Sequence, residues 1–234
     1  MALYAIGDLH LSFQTEPPVP MQTMGRIWID HERILRDNWL RTIRPEDTVV
    51  LVGDHSWGRK LDQCEKDFAY IESLPGRKIL VRGNHDMFWD AGKTGKLNNA
   101  FRGRLSFLQN NFESYGTYAL VGTKGYTYEG KDTPQHARML VERELERLKI
   151  SFEAACAAGY SRFIMFLHYP PTNLQERSSG FTKMAEYYGA EQVVYVHCHG
   201  EARFHDSLLG VRKGIRYSLV SGDYLRWQPC KILD

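Results

Sequence analysis

Five of the nine histidines in this 234-residue chain, His10, His85, His168, His197 and His199, sit in short motif-like strings. Asp8 and His10 are two residues apart, as are His197 and His199. On an extended segment that step points both side chains of a pair the same way. Asp54, Asn84 and His168 each follow a short apolar run. Two Asp, one Asn and four His are hard oxygen and borderline nitrogen donors, suited to Mn, Fe or Zn rather than Ca. Seven ligands exceed what one ion can take while keeping a position open for substrate. They suit two ions with one carboxylate shared. Cys198, between the last two histidines, points away from both on an extended segment and reads as a small buried hydrophobe; the alternative is a redox-sensitive thiol or a stray soft ligand.

The elements that must hold these residues follow from hydropathy patterning. Short β-rich runs at residues 3–6, 48–52, 78–81, 162–167 and 193–196 each end in one of the polar strings. Helical periodicity fills the gaps. Ile27, Ile34, Leu35, Trp39, Leu40 and Ile43 mark a helix over 28–43, and Leu61, Cys64, Phe68 and Ile71 another over 61–74. Val141, Leu145, Leu148, Phe152 and Ala155 mark the longest, over 134–158, with Thr133 as N-cap, Pro134 in the first turn and Gly159 as stop. Strands at 105–108, 118–121 and 215–220 complete the pattern. Alternating strands and helices predict an α/β sheet covered on both faces, in one domain spanning residues 1–234, with ligands beyond the carboxyl ends of the strands. Two long loops, residues 11–25 and 169–180, are placed to choose the substrate.

Asp8-x-His10, Gly53-Asp54, Gly83-Asn84-His85-Asp86, His168 and His197-x-His199 resemble, in order, the five motifs of the calcineurin-like metallophosphoesterase superfamily. Gly53-Asp54-x-Ser56-Trp57, His168-Tyr169-Pro170-Pro171 and Ser221-x-Asp223-Tyr224-Leu225 further resemble a small group of bacterial predicted phosphohydrolases of unassigned substrate. The resemblance implies a four-layer α/β/β/α sandwich of mixed sheets. It implies that Asp8, His10, Asp54 and His199 hold one metal and Asp54, Asn84, His168 and His197 the other, so that Asp54 bridges. His85 would protonate the leaving group or stabilise phosphoryl oxygens, with Asp86 orienting its ring. A hydroxide between two ions needs no protein base, because bound water ionises near neutral pH. One departure stands out. The family's last motif usually begins with glycine, and here Val196 takes that place.

The remaining signals are weaker. His31 and His136 read as surface residues, and His55 adjoins a ligand. Trp28, Trp57 and Trp89 fall in or after the motif loops, where they pack the loops or stack an aromatic substrate group. Arg82 and Arg203 lie near ligands and either bind phosphate or pair with a neighbouring acid. Lys+Arg of 30 against Asp+Glu of 28 gives a net charge of +2, too even for a nucleic-acid or membrane partner. The four cysteines form no CxxC pair, and no apolar run approaches the roughly 18 residues of a membrane span. With no signal-peptide pattern at the start, the expectation is a cytoplasmic protein. The leading function is phosphomonoester or phosphodiester hydrolysis on a small phosphorylated substrate. A nuclease and a non-catalytic partner-binding relative are the alternatives.

Overall fold

The computed structural model describes residues 1–130 and 132–234. In chain order the first half holds β1 (Leu3–Ile6), α1 (His31–Thr42), β2 (Thr48–Val52), α2 (Glu65–Ser73), β3 (Arg77–Val81), α3 (Thr94–Ala100) and β4 (Leu105–Leu108). The second holds β5 (Phe112–Tyr115), β6 (Tyr118–Thr123), α4 (Pro134–Ala157), β7 (Phe163–Leu167), α5 (Gly180–Tyr188) and β8 (Ala190–Tyr195). Then come α6 (Glu201–His205), β9 (Gly210–Arg212), β10 (Ile215–Leu219) and β11 (Cys230–Leu233). The chain divides into two compact units, Met1–Phe107 with Val220–Asp234, and Leu108–Leu219.

In the first unit the sheet runs β11-β1-β2-β3-β4. Strands β1, β2 and β3 are parallel, and β11 pairs antiparallel with β1. Every residue of the Thr48–Val52 strand is buried, so both faces of this parallel strand are covered. Leu35 and Trp39 from α1, Phe68 and Ile71 from α2, and Trp89 and Phe107 build the core. The register carries the functional consequence. Ile6 is level with Leu51, and Val52 with Val81, so the residues that follow all three strands leave the sheet at one edge.

The second unit repeats the principle. Its sheet runs β5-β6-β7-β8-β10-β9, with β6, β7, β8 and β10 parallel and the antiparallel β5 and β9 at the edges. Leu167 is level with Tyr195, which brings His168 and Val196 out side by side. The architecture is therefore α/β with two mixed sheets, where periodicity alone had predicted one covered sheet.

Helix α4 matches its expected span to one residue. Thr133 Oγ1 accepts the His136 N–H at 3.2 Å, and Gly159 takes φ +89° after the last turn. Helix α1 starts three residues late, because residues 26–28 form a 3₁₀ turn and Asp30 has φ +50°. Strands β5, β9 and β11 and helices α3 and α6 went unpredicted: the strands have three or four residues and the helices seven and five, too few to show a clear period. His31 is not a surface residue. It is buried, with Nε2 2.8 Å from Leu9 O and Nδ1 3.2 Å from Trp28 O, so its ring ties α1 to the loop after β1. His136 is exposed, as expected.

Phe152 anchors the second core. Its ring stacks on Tyr188 at 4.3 Å and meets Phe163 edge-on at 5.3 Å. Phe152→Ala should lower the unfolding free energy by about 3–5 kcal/mol, the range for emptying a fully buried aromatic site, measured by urea denaturation.

Candidate metal centre

In the first unit, Asp8, His10 and Asp54 are all buried beyond the ends of β1 and β2. They do not lie on extended segments. Asp8, His10 and Asp54 have φ of +57°, +46° and +54°, a region that costs a side-chain-bearing residue of order 1–3 kcal/mol. The backbone ladder continues past the strands to hold these turns: Asp8 N donates to Gly53 O at 3.0 Å and His10 N to Asp54 O at 2.8 Å. Gly7 N donates to Val220 O and Gly222 N to Gly7 O, so the string at 221–225 has a structural role in bracing the Asp8 turn. His10 Nε2 stands 3.6 Å from Asp54 Oδ2. Asp54 Oδ1 accepts the His85 N–H at 2.8 Å, which leaves Oδ2 directed at the His10 side. Gly83 permits this closeness, since a methyl group on it would fall on Asp54 Oδ1 and N.

The Asp86 carboxylate is fully engaged, but the ring it holds is that of His55. Oδ2 accepts the Gly83 N–H at 2.7 Å, the Asp54 N–H at 2.9 Å and His55 Nδ1 at 2.9 Å, and Oδ1 accepts the His55 N–H at 2.8 Å. Four donors on one buried carboxylate brace the Asp54 turn. Burial pushes the Asp86 carboxyl up, but the His55 ring and the backbone N–H groups outweigh it and hold the group below the ordinary carboxylate range. His85 is half-buried, with its ring 4.3 Å from that of Trp57 and 5.5 Å from that of His10. Trp57 also stacks on His10 at 5.0 Å. Of the three tryptophans, Trp28 and Trp89 are core residues, and Trp57 packs against both histidines. Ser56 donates to Asp67 on α2, which ties the same loop down. Asn84 and Arg82 are half-buried in the turn after β3.

In the second unit, His168 follows β7 and is fully buried. Its Nε2 faces His197 Nδ1 at 3.1 Å. The left-handed residue after β8 is His197, at φ +70°, and not the buried Val196, so a side chain fits where the motif usually has glycine. His199 is half-buried, and Cys198 packs into the apolar core. Glu129, unmarked by any motif, makes a 3.0 Å contact with His197 Nε2 and accepts from Arg203 Nη2 at 2.8 Å. His197 first, and Arg203 after it, hold the Glu129 carboxyl down at about 2 against its partial burial. Arg203 thus makes an ion pair with a neighbouring acid.

The donor chemistry fits transition metals: buried carboxylates and imidazoles, two of whose ring nitrogens are turned on one another. The family model for calcineurin-like phosphoesterases matches residues 1–201. The chain belongs to the calcineurin-like phosphoesterase family. It is 35% identical over 72 residues to the Gene 66 protein of Mycobacterium phage D29, a match spanning 29% of this chain and 36% of that protein. Two solved structures share the fold. Phosphopantetheinyl hydrolase (PptH) of Mycobacterium tuberculosis superposes with a TM-score of 0.56 at 15% identity, covering 99% of this chain and 95% of that one. The protein AQ665 of Aquifex aeolicus superposes at 0.51 and 15% identity, covering 98% and 95%. Among the described residues no helix is long and apolar enough to cross a membrane.

Asp86→Asn keeps the volume but offers one carbonyl oxygen to four donors. A stranded buried donor costs about 1–3 kcal/mol, so this variant should lose at least that much stability by urea denaturation. An unchanged midpoint would remove Asp86 from its bracing role.

Proposed function

We propose that the protein hydrolyses a phosphomonoester or phosphodiester bond of a small phosphorylated molecule, with two ions of Mn, Fe or Zn. Asp8, His10, Asp54 and His199 would hold one ion, and Asp54, Asn84, His168 and His197 the other, within a single domain of residues 1–234. The family model runs through both units, which supports that reading. The observation that carries it is the pair of imidazole nitrogens, His168 Nε2 and His197 Nδ1, 3.1 Å apart on adjacent strand ends. Two lone pairs so close need a cation or a proton between them. Bound there, the ions would supply an acidified water and Lewis acidity at the phosphoryl group.

The chain's own residues do the rest. A ring nitrogen of His85 delivers a proton to the leaving oxygen, and the ring's partial exposure lets it be recharged from solvent. Trp57 keeps that ring from swinging away by packing on it. Arg82 binds phosphoryl oxygens, and Arg203, half-exposed while on Glu129, has further N–H groups to join it. The organic part of the substrate occupies a cavity of about 240 Å³ in the second unit, lined by Tyr126, Tyr128, Pro171, Thr172, Phe181 and Arg203. That cavity draws on the 169–180 loop. The balanced net charge of +2 argues against a nucleic-acid polymer as substrate.

Metal-loaded protein tested on phosphomonoesters, phosphodiesters, nucleotides and a phosphopantetheinyl ester should hydrolyse at least one small ester and release little from DNA. Activity confined to DNA, with affinity falling steeply in salt, would favour the nuclease. Asp54→Ala should lose both ions by metal analysis, whereas Asp8→Ala should lose one; Asp54→Ala with two ions and normal turnover would refute the shared ligand.

His85→Ala should keep both ions and slow alkyl phosphate hydrolysis by roughly 10²–10⁴-fold, with a much smaller loss on p-nitrophenyl phosphate, whose leaving group departs unaided. Equal losses on both substrates would replace the acid role with phosphoryl stabilisation.

A further inference from the structure

Both ring nitrogens of His197 have a neighbour inside the second unit. Nδ1 faces His168 Nε2 at 3.1 Å, and Nε2 lies 3.0 Å from Glu129 Oε1. An ionised carboxylate can only accept, so the hydrogen sits on Nε2, and in the neutral ring the lone pair sits on Nδ1. That lone pair is on the side turned towards His168. The same Glu129 oxygen accepts from Arg203 Nη2 at 2.8 Å, which holds the carboxylate from its other side.

The segment before Glu129 is tied down independently. Thr127 Oγ1 donates to Pro170 O at 3.0 Å, two residues beyond His168, and Tyr169 packs on His197 with ring centroids 4.2 Å apart. Tyr169 also meets Tyr126 at 5.6 Å. The loop carrying Glu129 is therefore registered against the strand ends that carry both histidines. A salt bridge of surface type would leave its acid well exposed; the Glu129 side chain is 18% exposed while that of Arg203 is 48% exposed.

We propose that Glu129 is a positioning residue for the metal centre: it fixes His197 in the Nε2–H tautomer and aims Nδ1, together with His168 Nε2, at one ion, while Arg203 holds Glu129 in place. The proposal rests on the reading of His168 and His197 as ligands. The physical reason is general. A ligating imidazole whose other nitrogen donates to a carboxylate is fixed in ring orientation and made a stronger donor. Here the need is greater than usual, because His197 reaches its position from a left-handed turn that its own backbone does not favour.

The test uses the full chain and two variants, Glu129→Gln and Glu129→Leu. Histidine ¹⁵N resonances of metal-free protein report the His197 tautomer, and Mn²⁺ titration followed by electron paramagnetic resonance reports the affinity of each ion. Wild-type protein should have His197 as the Nε2–H tautomer. Glu129→Leu should lose that preference and bind one of its two ions about 10–100-fold more weakly, with the other unchanged. Glu129→Gln, whose amide oxygen still accepts from Nε2–H, should restore the tautomer and most of the affinity.

An Nδ1–H tautomer in wild-type protein overturns the proposal whether or not a variant folds. So does Glu129→Leu with wild-type tautomer and affinity, which would leave a mere salt bridge. A loss in Glu129→Gln equal to that in Glu129→Leu would also overturn it, in favour of direct ligation by the charge. Wild-type protein that takes up no second ion would sink the two-metal reading instead, and the tautomer comparison would still decide what Glu129 does to His197.

Discussion

The oxygens of Asp86 accept from the N–H groups of Gly83, Asp54 and His55 and from the His55 ring, and a carboxylate with no exposure stays ionised only on such terms. The turns after β2 and β3 are thereby drawn to one point. Asp54 is held by its N–H on Asp86 and by its Oδ1 on the His85 N–H, so its left-handed backbone is set from two directions. His55, next in sequence, spends its ring on the brace. Gly83 has no side chain because Asp54 stands where one would go. The position of the central carboxylate, and with it whatever Asp54 binds, depends on this one buried acceptor.

Four candidate ligands, Asp8, His10, Asp54 and His197, share the left-handed region of backbone space. Such strain persists only where surrounding bonds over-determine it, and it concentrates at functional sites. In this chain the overdetermination comes from parallel strands. Because β1, β2 and β3 run in register, their continuations can still bond across one another after the sheet ends, as Asp8 N to Gly53 O and His10 N to Asp54 O do. The turns are tight because the ladder has not let go.

In the second unit β7 and β8 do the same for His168 and His197, and the loop before α4 adds Glu129. The resulting chain of contacts, Arg203 to Glu129 to His197 to His168, passes from a half-exposed guanidinium to a fully buried imidazole. An arginine expected near phosphate is thus also a support for the carboxylate. The 240 Å³ cavity beside it has Arg203 in its wall.

The family and the strand ends were legible in the sequence, because a short apolar run closed by Asp, Asn or His is a local pattern. So was α4, whose length, Thr133 cap and Gly159 stop are all local signals. The division of the strands between two sheets was not legible from periodicity, since the choice of neighbour is made by pairing between distant residues. The left-handed turns were also missed: Asp8-x-His10 reads as extended until the adjacent strand's carbonyls claim its N–H groups. His31, His55 and Glu129 look like ordinary polar residues in the sequence and acquire their roles only from partners 22, 31 and 68 positions away. The ligand types follow from the local sequence, whereas the aim of those ligands depends on hydrogen bonds that exist only after the chain has folded.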